Sequence, residues 1–126
     1  MFAALLVAAM LARSDVRSCA ARVLKAGGYG HLPLEAAAFI VREGESVRCE
    51  MWPRSPSFHS TSWMGRMPEG TLAIIHSHPA TIPQPSVQDM DLARRLRIPV
   101  LVVTPRGVTA ADDEAPAPNL LRKEAY

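Results

Sequence analysis

Leu72-Ala73-Ile74-Ile75-His76-Ser77-His78-Pro79, followed after Pro85 by Ser86-Val87-Gln88-Asp89, decides how the rest of this chain is read. The first half of the stretch is a continuous apolar run, as in a strand covered on both faces. The second half sets two histidines two residues apart, then a serine and an aspartate at fixed distances: H-x-H-x7-S-x2-D. A strand over residues 71–78 sends both imidazoles from the same face, about 7 Å apart at Cα, so that two nitrogens can reach one divalent ion. A single histidine at a strand end is well explained as a surface residue. Two on one face, beside a buried run, in a chain with four histidines, are not.

Ser86 and Asp89 have a competing explanation. S-x-x-D at the start of a helix over residues 86–96 is close to a capping box, with the serine as N-cap and the acid favouring the helix dipole. The helical wheel argues for more than a cap. At about 100° per residue, Asp89 falls among Leu92, Ala93 and Leu96, while Asp91, Arg94 and Arg95 face away. A carboxylate aimed into a core is costly unless it is paired or bound to a metal. Two histidines and one aspartate would leave a position open for water, the pattern of catalytic rather than structural zinc sites. Such a site also needs a group to carry protons, ordinarily a carboxylate near the metal. Glu43 and Glu45 sit in the turn Glu43-Gly44-Glu45-Ser46 and face solvent. Glu35 opens an otherwise apolar strand over residues 34–42, which makes it the candidate base.

The elements around this centre follow from local pattern. Ser14 is the expected N-cap of a helix carrying Val16, Ala20, Val23 and Leu24 at helical spacing and ended by Gly27-Gly28. Strands are expected at residues 47–52 and 99–104, with a short edge strand at 108–111 after the turn Pro105-Arg106-Gly107. Of eleven prolines, seven cluster at residues 53–56, 79–85 and 116–118, where they mark loops and a tail. The expected organisation is an apolar N-terminal segment (1–14), a catalytic domain (15–111) and a C-terminal tail (112–126).

Composition bounds the possibilities. With 126 residues, 48% hydrophobic and 21% charged, the chain is one globular domain. A net charge of +2 argues against a nucleic-acid partner, and Arg94, Arg95 and Arg97 read as a solvated helix face. Residues 2–12 are an apolar run too short to span a bilayer as a helix. No basic residue precedes the run, which favours a retained helix or strand, and a cytoplasmic chain, over a signal peptide cleaved near Val7-Ala8-Ala9 and export. Cys19 and Cys49 are two free thiols in a reducing compartment and can pair in an oxidising one; the sequence does not choose. His31 lies near Glu35 and can line a cleft. His59 receives no role, and Trp52 and Trp63 are core or rim aromatics.

H-S-H-P-x6-S-x2-D, with the upstream Pro33-Leu34-Glu35 at the head of an apolar strand, resembles the JAMM motif of the MPN/JAB (Mov34) metalloproteases in a minimal prokaryotic form, over roughly residues 15–111. The resemblance implies an α/β (α+β layered) fold, a cytidine-deaminase-like mixed β-sheet flanked by helices. It implies one Zn2+ per chain held by His76, His78 and Asp89, with Glu35 as general acid/base and Ser86 donating to the oxyanion. The implied reaction is hydrolysis of a peptide or isopeptide bond after the C-terminal tail of a ubiquitin-like or sulfur-carrier protein, the tail bound extended. The family usually carries glycine after the glutamate, where this chain has Ala36-Ala37-Ala38. The insertions with which eukaryotic members grip two ubiquitins are missing. A zinc deaminase is excluded, because H-x-E and P-C-x-x-C are both absent. A non-catalytic MPN-fold binding module, and a general zinc peptidase acting on exported or wall-associated peptides, are the alternatives.

Overall fold

The computed structural model describes residues 2–31, 35–53 and 65–111. Among these, α1 (Phe2–Leu11) and α2 (Ser14–Ala26) precede the hairpin of β1 (Ala37–Glu43) and β2 (Ser46–Met51). Then come β3 (Thr71–Ser77), α3 (Val87–Leu96), β4 (Val100–Thr104) and β5 (Gly107–Ala111). The strands form one mixed sheet in the order β2-β1-β3-β4-β5. Only β3 and β4 run parallel, and α3 supplies the long crossover that a parallel pair requires. The β1–β2 hairpin closes between Glu43 and Ser46, with Gly44 at φ 60°, a left-handed conformation that glycine adopts without penalty. This is the α+β layered arrangement of a mixed sheet between helices expected from the sequence.

Alternation along the strands gives the sheet two different faces. On one, Ala38, Ile40, Ala73, Ile75, Leu101 and Val103 pack under Val16, Cys19, Ala20 and Val23 of α2 and Val7 of α1. On the other, Phe39, Val41, Ile74 and Val100 meet Ala93 of α3, with Trp52, Leu92 and Leu96 at the margin. Phe39 and Trp52 stack at a tilt, ring centroids 5.2 Å apart. The apolar run Leu72–Ile75 is thus covered on both sides, as its composition predicts. A disulfide joins Cys19 of α2 to Cys49 of β2, Cα atoms 5.4 Å apart. The N-terminal run is a helix that contributes Val7 to the core and leaves Leu5 and Leu6 exposed.

The structure corrects several local expectations. Ser14 is not the N-cap of α2. Arg13 occupies that position, and no side chain caps the helix there. The tie is made two residues after the N-cap, where Asp15 accepts the N–H groups of Val16 and Val47, both at 2.9 Å, and pairs with Arg13. The Arg13 guanidinium holds the Asp15 carboxyl well below the usual carboxylate range. A longer acid that reaches two elements has replaced a serine that could reach one. β1 begins at Ala37, so Glu35 precedes the strand instead of opening it, and β3 ends at Ser77 with His78 just beyond. Expectations for residues 32–34, for 54–64 with His59 and Trp63, and for the tail 112–126 lie outside the described residues.

Candidate metal centre

The site stands at the carboxyl end of β3, beside the parallel β4, where ligands collect in sheets with βαβ crossovers. His76 pairs in register with Ala37 of β1 and Val102 of β4. It therefore shares the α3 face of the sheet with Phe39 and Ile74. His78 follows two residues on, and the two imidazole rings meet edge to face, centroids 4.6 Å apart. Pro79 turns the chain, the Ile82 N–H donates to the Pro79 carbonyl, and the Ile82 carbonyl comes to rest 3.1 Å from His78 Nδ1.

That last contact fixes the chemistry of His78. A carbonyl only accepts, so Nδ1 carries the proton and Nε2 presents a lone pair. Burial holds the His78 imidazole below its ordinary range, and His76 adds to the effect, so the ring is neutral at pH 7. Its Nε2 faces two carboxylates, Asp89 Oδ2 at 3.5 Å and Glu35 Oε1 at 3.9 Å. A lone pair directed at two anions is repulsive unless a cation lies between them.

Asp89 is delivered by α3 and is 7% exposed. The capping box expected from the sequence is present in full. Ser86 N–H donates to Asp89 Oδ2 at 2.8 Å, and Asp89 N–H donates to Ser86 Oγ at 3.1 Å. The same carboxylate also reaches the histidines, so cap and site are one structure. Desolvation alone would raise the Asp89 carboxyl, but the His76 imidazole, the Ser86 N–H and the charge of the two rings outweigh it and hold it below its ordinary value. Asp89 Oδ1 lies 3.0 Å from His76 Nε2, yet that buried nitrogen makes no aligned hydrogen bond. Buried polar atoms are ordinarily satisfied, so a nitrogen left open toward a carboxylate invites an explanation.

A metal ion held between these groups would supply one. Bonds of about 2.0–2.1 Å in a tetrahedral shell set the donors roughly 3.3–3.4 Å apart, and the separations here are 3.0, 3.5 and 3.9 Å. Glu35, His76 and His78 present donor atoms all within 4.8 Å of one another, close enough to hold a metal ion. The nitrogen–carboxylate donor set suits zinc. Of the two acids, Asp89 lies nearer the histidines and is fixed by the helix start. Glu35 stands further out, with its side chain 23% exposed.

Beside these groups the α3 face leaves a cavity of about 150 Å³, lined by Glu35, His76 and Asp89 together with apolar residues that include Ala37, Trp52 and Leu92. All five residues singled out in the sequence are brought to one end of the sheet by these elements. Trp52 is a cavity residue, and His31 is exposed and is not among those that line the cavity. Sequence reasoning missed the Ile82 carbonyl, which no side-chain pattern can announce. It also misses Ser77, which the motif presents only as the residue between the two histidines.

The family profile described as prokaryotic homologs of the JAB domain matches residues 13–116 of the chain. Among curated proteins none matches it. No helix among the described residues is long and apolar enough to cross a membrane.

Proposed function

The chain belongs to the family of prokaryotic JAB-domain proteins, with the MPN/JAB-like mixed sheet, and on that premise we propose that it is a zinc-dependent peptidase. The observation that carries the reading is the inward set of His76 Nε2, His78 Nε2 and the Asp89 carboxylate, too close and too anionic to be left without a cation. His76, His78 and Asp89 would hold the metal, beside the cavity that His76 and Asp89 line. When bound, zinc supplies Lewis acidity, drawing charge from the scissile carbonyl and bringing the ionisation of water toward neutral pH.

The chain's own residues do the rest. Glu35, its Oε1 3.9 Å from His78 Nε2, takes a proton from the attacking water and passes it to the leaving amine nitrogen. Its greater exposure suits a group that must exchange protons. Ser86 Oγ already accepts the Asp89 N–H, so its hydroxyl proton is left to donate to the oxyanion. The Ile82 carbonyl keeps the His78 tautomer that leaves Nε2 available. The shallow, partly apolar cavity suits an extended protein tail, and the substrate reading that fits the family is the bond following the C-terminus of a ubiquitin-like or sulfur-carrier protein.

The test is bound metal per chain by elemental analysis, on wild type and His78→Ala, followed by cleavage of fusions carrying such a tail. About one zinc per chain, lost in the variant, together with cleavage, supports the reading. A chain that takes up no zinc when supplied with it is a binding module instead. The Cys19–Cys49 disulfide favours a second substrate class, exported or wall-associated peptides, since such bonds persist in oxidising compartments. Thiol labelling in freshly lysed cells decides between the two: free thiols exclude the exported class.

A further inference from the structure

We propose that Ser77, the residue between the two histidines, is a positioning residue that sets Glu35 against the metal ligands. The ladder between β1 and β3 ends at the pair Ala37–His76, and Glu35 lies two residues before β1. What extends the pairing toward Glu35 is one residue. Ser77 N–H donates to the Ala36 carbonyl at 2.9 Å, and the Ala36 N–H donates to Ser77 Oγ at 3.0 Å. Both main-chain groups of the residue next to Glu35 are thus held by Ser77, once through its backbone and once through its hydroxyl.

The side chain is itself locked. Alternation along β3 points His76 to the α3 face and Ser77 to the α2 face, so Ser77 cannot be a ligand. Its exposure is 0%. There it abuts the end of α2 so closely that a Cβ on Gly27 would lie 2.8 Å from Ser77 Cβ and would overlap its Oγ. Gly27 is required here for lack of a side chain and not for its dihedral angles, since its φ is −86°. The hydroxyl therefore sits in a slot between α2 and the chain leading to Glu35, in reach of the Ala36 N–H. Alanine at position 77 would leave the part-buried Ala36 N–H without its acceptor, and of the two bonds to Ala36 only the one from the Ser77 N–H to the Ala36 carbonyl would remain. Placement matters for a proton carrier, because a shift of about 1 Å can cost on the order of a hundredfold in rate.

The proposal rests on the reading of Glu35 as the proton carrier, and the experiment separates the two. Ser77→Ala is compared with Ser77→Thr, which keeps an Oγ, each in the wild-type and Glu35→Gln backgrounds. The expected result has three parts. Ser77→Ala binds as much zinc as wild type but loses about 10–100-fold in kcat, with KM little changed and with recovery in Ser77→Thr. In the Glu35→Gln background the same substitution changes the residual rate by less than about twofold, since residues acting through one another are not additive. In zinc-loaded protein that is not turning over, amide exchange of Ala36 quickens while that of Ile75 is unchanged. An equal loss of kcat in both backgrounds, or unchanged Ala36 exchange, overturns the role of Ser77 and leaves Glu35 standing. A Glu35→Gln enzyme as active as wild type overturns the reading of Glu35 and this proposal with it.

Discussion

The two faces of the sheet have been given different work. Under α2 the packing is apolar except for Ser77 at its end, Ile40, Ile75 and Leu101 are fully buried, and a disulfide ties the helix to the edge of the sheet. Under α3 the apolar cluster is narrower, a cavity remains, and every buried ionisable side chain among the described residues lies at its end. A dry, filled layer can hold the backbone still, and a partly filled one can hold water, an ion and a peptide. The strand between them, β3, contributes to both by simple alternation, with Ile75 and Ser77 to one side and Ile74 and His76 to the other. The contrast teaches that precision at the site is set by the face that takes no part in the chemistry.

Substitutions can break that division. The largest effect is expected at Glu35 on the open face: Glu35→Gln should lower kcat by about 10²–10⁴-fold with little change in thermal stability. Steady-state rates beside a melting curve check it, and a matching fall in stability would erase the contrast. On the filled face, Ile75→Ala should cost about 2–5 kcal/mol of stability, measured by urea unfolding, while the folded protein still takes up its metal. Loss of the metal from folded Ile75→Ala protein would show that the faces are not separable.

Two further effects sharpen the comparison. Replacing Cys19 and Cys49 with alanine reopens a link across 30 residues of sequence, and should cost about 3–4 kcal/mol in the chain-entropy account without changing kcat. The smallest effect is a pH dependence of the metal-free chain. The folded His78 imidazole sits below its unfolded value of about 6.5, so between the two values the unfolded chain binds more protons. Acidification through that window therefore lowers stability, and Asp89, depressed in the folded state, adds a further loss below about pH 4. Urea midpoints at pH 7.5 and 5.5 should differ in the wild type and converge in His78→Gln; parallel shifts would move the cause elsewhere.

What the sequence made legible was what periodicity encodes. The shared face of His76 and His78 follows from a period of two, and the inward aim of Asp89 from a period of 3.6 that places it over Leu92 and Ala93. Contacts made by backbone or by chance neighbours were not legible. Nothing in the pattern indicates that Asp15 reaches Val47 from 32 residues away, or that α2 ends where Gly27 meets Ser77. The serine at position 14 has the right chemistry for a cap and the wrong place, because the neighbouring acid can tie the helix to β2 as well as to itself. The disulfide depends on two cysteines meeting across α2 and β2, a fact of packing rather than of spacing.

At the far edge of the sheet, β2 has no partner strand on its outer side among the described residues. Its backbone groups there are a template to which any extended chain could add. Arg48 stands midway along it, 3.7 Å from Glu50 on the same strand and 3.2 Å from Glu43 at the end of β1, so this side of the sheet carries charges of both signs. Such ion pairs contribute little to stability at a surface. Their consequence is colloidal: a second molecule docking edge to edge would have to strip water from three charged side chains. Charges placed there would disfavour edge-to-edge pairing of neighbouring molecules into a continuous sheet.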